Sequence, residues 1–259
     1  MNTIFGLASI VIKELYRRKD FYVLFVLTAL LTLLMGSMNF FHDDKIVRYL
    51  KDIALMLIWI SALVIAIGTA ARQIPAEREN RTIFPLLAKP VTRGQVILGK
   101  FAGCWFACGL ALLVFYLFFG VVSGSREHHW PLVMYVGGFW LQWVMLGIIV
   151  ALVLLGSVVF TAPSSNATIC FIIVIGLWFV GGHLNRVALQ QAEPLRTIVY
   201  TVYFLIPHLE WYDIRDLIIY DVNKLSWLDY VLDTIYGAVY AAFLLYATWL
   251  VFRRKGLNV

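Results

Sequence analysis

The sequence predicts an all-α membrane protein with six transmembrane helices, and three observations carry that prediction. Of the 259 residues, 62% are hydrophobic and only 14% charged, with a mean hydropathy of +0.84, whereas a soluble domain is about half apolar. Apolar stretches recur that are long enough to cross ~30 Å of hydrocarbon, which takes about 20 helical residues. These stretches lack the alternation in polarity that a membrane-spanning strand requires.

The first 20 residues place Ile4, Leu7, Ala8, Val11 and Leu15 on one helical face, with Lys13, Arg17, Arg18 and Lys19 crowding the end. This pattern predicts an amphipathic interfacial helix over 1–20. Charge follows the apolar part and no small-residue cleavage site appears, which argues against a cleaved secretory signal. Six spans follow, at 21–41, 53–71, 95–122, 131–160, 167–184 and 229–252, within a single membrane domain of 1–259. Span three repeats Gly99, Gly103, Ala107 and Ala111 every fourth residue, a stripe on which another helix can approach closely, from this chain or from a second copy. Between spans five and six lies an outer region, 185–228, whose apolar run Leu195 to Pro207 is too short to cross the bilayer and ends at proline. A re-entrant or interfacial helix pair fits it best, and an outer loop resting on headgroups is the simpler alternative.

Charge distribution sets the orientation. Thirteen of the 21 Lys and Arg residues fall on the side that carries both ends of the chain, and eight on the other. Both termini are therefore expected in the cytoplasm. Trp130, Trp211 and Trp227 fall near the outer boundary and Trp249 near the inner one, where indoles prefer to sit. In this setting the net charge of +6 reports topology and gives no reason to expect nucleic acid.

Several kinds of chemistry are missing. Cys104, Cys108 and Cys170 all lie in apolar runs with no disulfide or zinc spacing, and the adjacent His128 and His129 diverge on a helix. No metal site and no catalytic residue are expected. Gly94 to Lys100, GQVILGK, matches a P-loop up to Phe101, where Ser or Thr would be needed, and no strand precedes it. The central parts of the six spans carry no ionisable residue, which disfavours a proton- or ion-driven transporter. Energy for any movement must come from outside the bilayer.

The stretch between spans two and three, 72–94, provides a place for it. Pro75 suits a first helical turn, and Glu77 and Glu79 suit its positive end, with Arg78 and Arg81 beside them on a short surface helix running on to Pro85. After Pro90, the residues Thr92, Arg93, Gly94 and Gln95 form a capping box, stapled by Val91 and Val96, which starts span three at a firmly specified turn. Movement of the short helix would pass through Pro90, Thr92, Arg93 and Gln95 into that span.

These residues resemble a known family. Glu77-Arg78-Glu79, Thr82, Leu86-Leu87-Ala88, Pro90-Val91-Thr92-Arg93 and Gly99-Lys100 are similar to the signature between spans two and three of exporter-type ABC permeases, the ABC-two or type V class, and Pro207 to Asp213 resembles a proline-to-aspartate segment of bacterial members. The likeness extends over nearly the whole chain; one departure is Arg81, where the family commonly has glycine. It implies a permease in a bacterial inner membrane, assembled as a homodimer or heterodimer with a second permease subunit and two ATP-binding subunits. ATP and magnesium would be held by those partners and none by this chain. Docking to the ATPase would fall to Glu77, Arg78, Glu79, Arg81 and Thr82, and an outer gate to Pro207, Glu210, Trp211 and Asp213. The implied function is outward movement of a hydrophobic or lipid-like substrate. The alternative is a force-transmitting module that acts on an extracytoplasmic partner, for example in metalloenzyme maturation, without transport. A scaffold or channel that uses no ATPase is the third possibility.

Overall fold

Helix α1 (Asn2–Arg17) lies along the third of the predicted spans and not only on a lipid surface. Its Ala8 and Val11, on the face expected to meet lipid, are buried at 7% and 3% exposure. A Cβ added at Gly103 would come within 2.9 Å of the Ala8 Cα and the Val11 Cβ. The small-residue stripe therefore finds its partner within the chain. The computed structural model describes residues 2–17, 19–37, 44–79, 92–127, 130–190, 193–213, 215–220 and 226–254.

Helices are the only regular structure among the described residues. After α1 come α2 (Lys19–Ser37), α3 (Asp44–Ala70), the short α4 (Pro75–Glu79), α5 (Arg93–Glu127), α6 (Leu132–Val159), α7 (Pro163–Gln190), α8 (Leu195–Leu205), a 3-10 turn at Leu209–Tyr212, α9 (Arg215–Tyr220) and α10 (Trp227–Arg254). Five stretches are long and apolar enough to cross a membrane: Lys51–Glu79, Arg93–Ser125, Leu132–Val159, Pro163–Gly181 and Trp227–Arg254. They correspond to predicted spans two to six. The predicted first span falls on α2 as far as Ser37, and its last four residues, 38–41, lie outside the described residues. Helices α5 and α7 run past both predicted ends, because a helix continues through polar residues wherever its backbone bonds remain satisfied.

Helix α6 is the centre of the bundle. Of its most apolar window 78% is buried, against 22% for α7 and α10, which turn most of their apolar surface outward. A sequence that is apolar all round apart from Gln142 and Ser157 suits a helix enclosed on all sides. Two tryptophans fasten α6 to α5 reciprocally. The Trp105 indole N–H donates to the Trp143 carbonyl at 2.9 Å, the Trp143 indole N–H donates to the Trp105 carbonyl at 3.0 Å, and the rings stack at 4.8 Å. Each ring covers a glycine of the other helix, Trp143 over Gly109 and Trp105 over Gly147. Close approach of the two backbones therefore places both indole donors on acceptors, in a medium where an unmade hydrogen bond is costly.

Two further contacts between buried polar side chains join neighbouring helices. The Thr28 and Ser61 hydroxyls lie 3.3 Å apart between α2 and α3, and Tyr116 Oη donates to Gln142 Oε1 at 2.8 Å between α5 and α6. The fold predicts that Gly109→Val, which drives a branched side chain into the Trp143 indole, lowers stability by about 1–3 kcal/mol. Gly176→Ala, which meets nothing within 4 Å, should leave it unchanged. Thermal unfolding in detergent, followed with a thiol-reactive dye, measures both, because Cys104, Cys108 and Cys170 are free and buried.

Candidate functional site

The segment after α3 turns on itself before α4 begins. The Gln73 N–H donates to the Ala70 carbonyl, and the Ala76 and Arg78 N–H groups donate to the Arg72 and Ile74 carbonyls. Pro75 opens α4 at the position predicted for it, where a missing N–H leaves no bond unmade. The predicted run of the helix on to Pro85, with Arg81, Thr82, Pro90 and Val91, lies outside the described residues.

Lys100 organises this end of the bundle. It stands two turns into α5 with its side chain 5% exposed, and its ammonium donates to Glu77 Oε1 at 2.7 Å, to the Gln73 carbonyl at 2.9 Å and to Gln73 Oε1 at 3.3 Å. Gln73 is itself held, its amide donating to the Thr69 carbonyl at 3.2 Å. A lysine has three N–H donors, and these three acceptors suit them. The residue that completes the P-loop-like spacing is thus a buried fastener between α5 and the α3–α4 corner. Glu77, expected to face a partner, turns inward to this lysine and keeps 24% exposure, while Arg78 is half-buried and Glu79 is exposed. A cleft of about 120 Å³ beside the pair is lined by Ile10, Val11 and Glu14 of α1 and by Arg72, Ala76 and Lys100.

The predicted capping box is present. The Thr92 N–H donates to Gln95 Oε1 at 3.0 Å and the Gln95 N–H donates to Thr92 Oγ1 at 3.3 Å, which satisfies two donors at the start of α5. Arg93, the intervening residue, reaches across to α10, where its Nη1 donates to the Phe252 carbonyl at 2.7 Å and to the Arg253 carbonyl at 3.2 Å. Below it Ile74, Ile97, Val158 and Phe252 form a small apolar cluster that joins the root of α4 to α5, α6 and α10. Asn166 adds α7: its Nδ2 donates to the Val153 carbonyl at 3.1 Å and to the Ala71 carbonyl at 3.4 Å. Sequence reasoning missed Asn166, although an amide near the start of an apolar span is the kind of residue that needs partners.

At the far end, the four residues assigned to a gate fall around one turn but do different things. Leu209 and Tyr212 of the 3-10 turn point into the main core at 2% and 1% exposure, and Tyr212 Oη donates to the Asp233 carbonyl at 2.7 Å. Burial pushes the Tyr212 phenol up, with Asp233 and Tyr236 adding to the shift, so it stays a donor. The Pro207 carbonyl accepts from the Leu209 N–H at 3.0 Å. Glu210 rests its carboxylate on Gly181 of α7 and pairs with His208 Nδ1 at 3.2 Å. Trp211 is 46% exposed and stacks on His208 at 4.7 Å. Asp213 takes a two-pronged bond from Arg215, at 2.8 and 2.7 Å, and Arg215 also approaches Asp52 of α3 at 3.5 Å. Helix α8 buries none of its residues, and its Leu195, Ile198, Val202 and Leu205 form an exposed apolar stripe.

Among the described residues no group of three His, Cys, Asp or Glu side chains could hold a metal ion, and His128 and His129 lie outside them. The arrangement at the α4 end is a short charged helix whose root is tied to four long ones.

The buried pair makes a measurable claim. Glu77→Ala or Lys100→Ala leaves the opposite charge without this partner and should destabilise by about 1–3 kcal/mol. Glu77→Gln combined with Lys100→Met should cost less than the sum of its single changes, and a double-mutant cycle by thermal unfolding reads the difference.

A family model described as "ABC-2 family transporter protein" matches residues 8–257 of the chain. No curated protein matches it.

Proposed function

Because the chain belongs to the ABC-2 transporter family, and so is the membrane-spanning subunit of an ABC transporter, we propose that α4 is the element on which its ATP-binding partner pushes. The observation that supports this most is the Lys100 fastening, which joins a five-residue helix with exposed charge directly to a membrane-spanning helix. An isolated helix of that length has no stability of its own in water. Held at its root by Lys100, Gln73 and the Ile74 cluster, it can receive a load without unwinding.

In this reading α2 is the first of six spans, both termini and α4 face the cytoplasm, and the membrane is a bacterial inner membrane. Two ATP-binding subunits work on two permease subunits, identical or not. Arg78 and Glu79, with Arg81 and Thr82 beyond them, meet the ATPase, while Glu77 holds the helix in place. ATP and magnesium bind to the partner. The far-end turn with Pro207, Glu210, Trp211 and Asp213 forms the outer gate. A bundle interior without ionisable groups suits a hydrophobic or lipid-like substrate moved outward.

Reversal of the outward charges, Arg78→Glu with Glu79→Arg, should abolish co-purification with the ATP-binding subunit and its stimulated ATP hydrolysis, while thermal stability stays at the parent value. Undiminished co-purification and hydrolysis would remove α4 from the docking surface. In liposomes, hydrolysis stimulated by a lipid-like substrate supports export, and nucleotide-dependent movement without such stimulation supports force transmission to an outer partner.

A further inference from the structure

We propose that Arg93 is a positioning residue that makes α10 a second output of the docking helix, carrying its movement to the turn at the opposite end of the bundle. This rests on the reading of α4 as the docking helix. The sequence assigns Arg93 to the start of α5, but its guanidinium works on another helix, 159 residues away in the chain.

The last carbonyls of a helix have no partners within it, and they form its negative end. Arg93 supplies those partners to α10 at Phe252 and Arg253, and its guanidinium stands 5.5 Å from the centre of the Phe252 ring. Phe252 is buried at 2% exposure against Ile74, the residue that precedes α4. The end of α10 is therefore fastened both to the first residue of α5 and to the root of the docking helix.

The opposite part of α10 holds the far-end turn at three points. Tyr236 Oη accepts the His208 N–H at 3.0 Å, the Asp233 carbonyl accepts from Tyr212 at 2.7 Å, and Tyr240 Oη donates to the Phe204 carbonyl at 3.3 Å. Between the two sets of bonds α10 is one continuous helix without proline. Tyr236 and Phe252 stand 16 positions apart, about 24 Å at 1.5 Å per residue. A stiff helix held at both ends moves as a body, so a shift of the α4 corner reaches the turn through it. The turn's other charged link, Arg215 with Asp52, is long at 3.5 Å and its aspartate side chain is 50% exposed. Such a pair is weak.

The test uses the reconstituted complex with its ATP-binding subunit and a nitroxide label at Leu205→Cys, a position 79% exposed beside the turn. ATP binding should change the label's spectrum in the parent. Arg93→Gln should abolish that change, with the protein still folded and the ATP-binding subunit still co-purifying. Arg93→Lys, which still presents a cation to the two carbonyls, should restore part of it. Tyr236→Phe, which removes an acceptor at the opposite end of α10, should reproduce the loss. An undiminished spectral change in Arg93→Gln overturns the inference while docking stands. Failure of the parent to bind any ATP-binding subunit overturns the docking reading, and this inference with it.

Discussion

A lysine buried at the edge of an apolar bundle sets most of what surrounds it. Removing an ammonium from water costs several kcal/mol unless hydrogen bonds and a counter-charge replace the lost hydration. Lys100 obtains these from Glu77 and Gln73. With the lysine buried, Gln73 and Glu77 on the turns that lead from α3 into α4 are the groups that satisfy it. The short helix is held at its root by satisfying that one charge.

Among the described residues the bundle buries one other lysine, Lys51 at 6% exposure, and between its ends it is held by close approach. Where two tryptophans of α5 and α6 lie over two glycines, the backbones come near enough for each indole to find a carbonyl of the other helix. Gly103 does the same for α1. In lipid such contacts must supply most of the association energy, because burial of apolar surface drives little between helices already surrounded by hydrocarbon. The bundle is therefore held along its helices by close contacts, and polar bonds join the helices both midway, as at Trp105 with Trp143, and at its two ends. That combination suits a device that converts displacement at one face into displacement at the other.

Much of this was legible in the sequence. Long apolar runs gave five of the spans, Pro75 gave the start of α4, and the spacing of Thr92 and Gln95 gave the capping box that the hydrogen bonds contain. These are local features, decided by residues within a turn or two of each other. What periodicity does not report is which neighbour a face meets. The charge on Glu77 looked like surface charge, yet its partner lies 23 residues on; Arg93 looked like part of a cap, yet it serves a helix 159 residues away. Lys100 was read as the end of a false P-loop and as part of the family signature, but not as a buried ammonium, because its partners Gln73 and Glu77 lie more than twenty residues away in the chain. The stripe Gly99 to Ala111 announced a close packing face without naming α1 as its partner.

The claim at the centre is that α4 receives force directly from an ATP-binding subunit. A photoactivatable residue in place of Glu79, exposed at the end of the described part of α4, tests it inside intact cells. The account predicts a covalent adduct whose second chain is identified by mass and by its labelling with an ATP analogue, and whose yield changes when hydrolysis is blocked. An adduct with lipid alone, under conditions in which the complex is assembled and active, would contradict it.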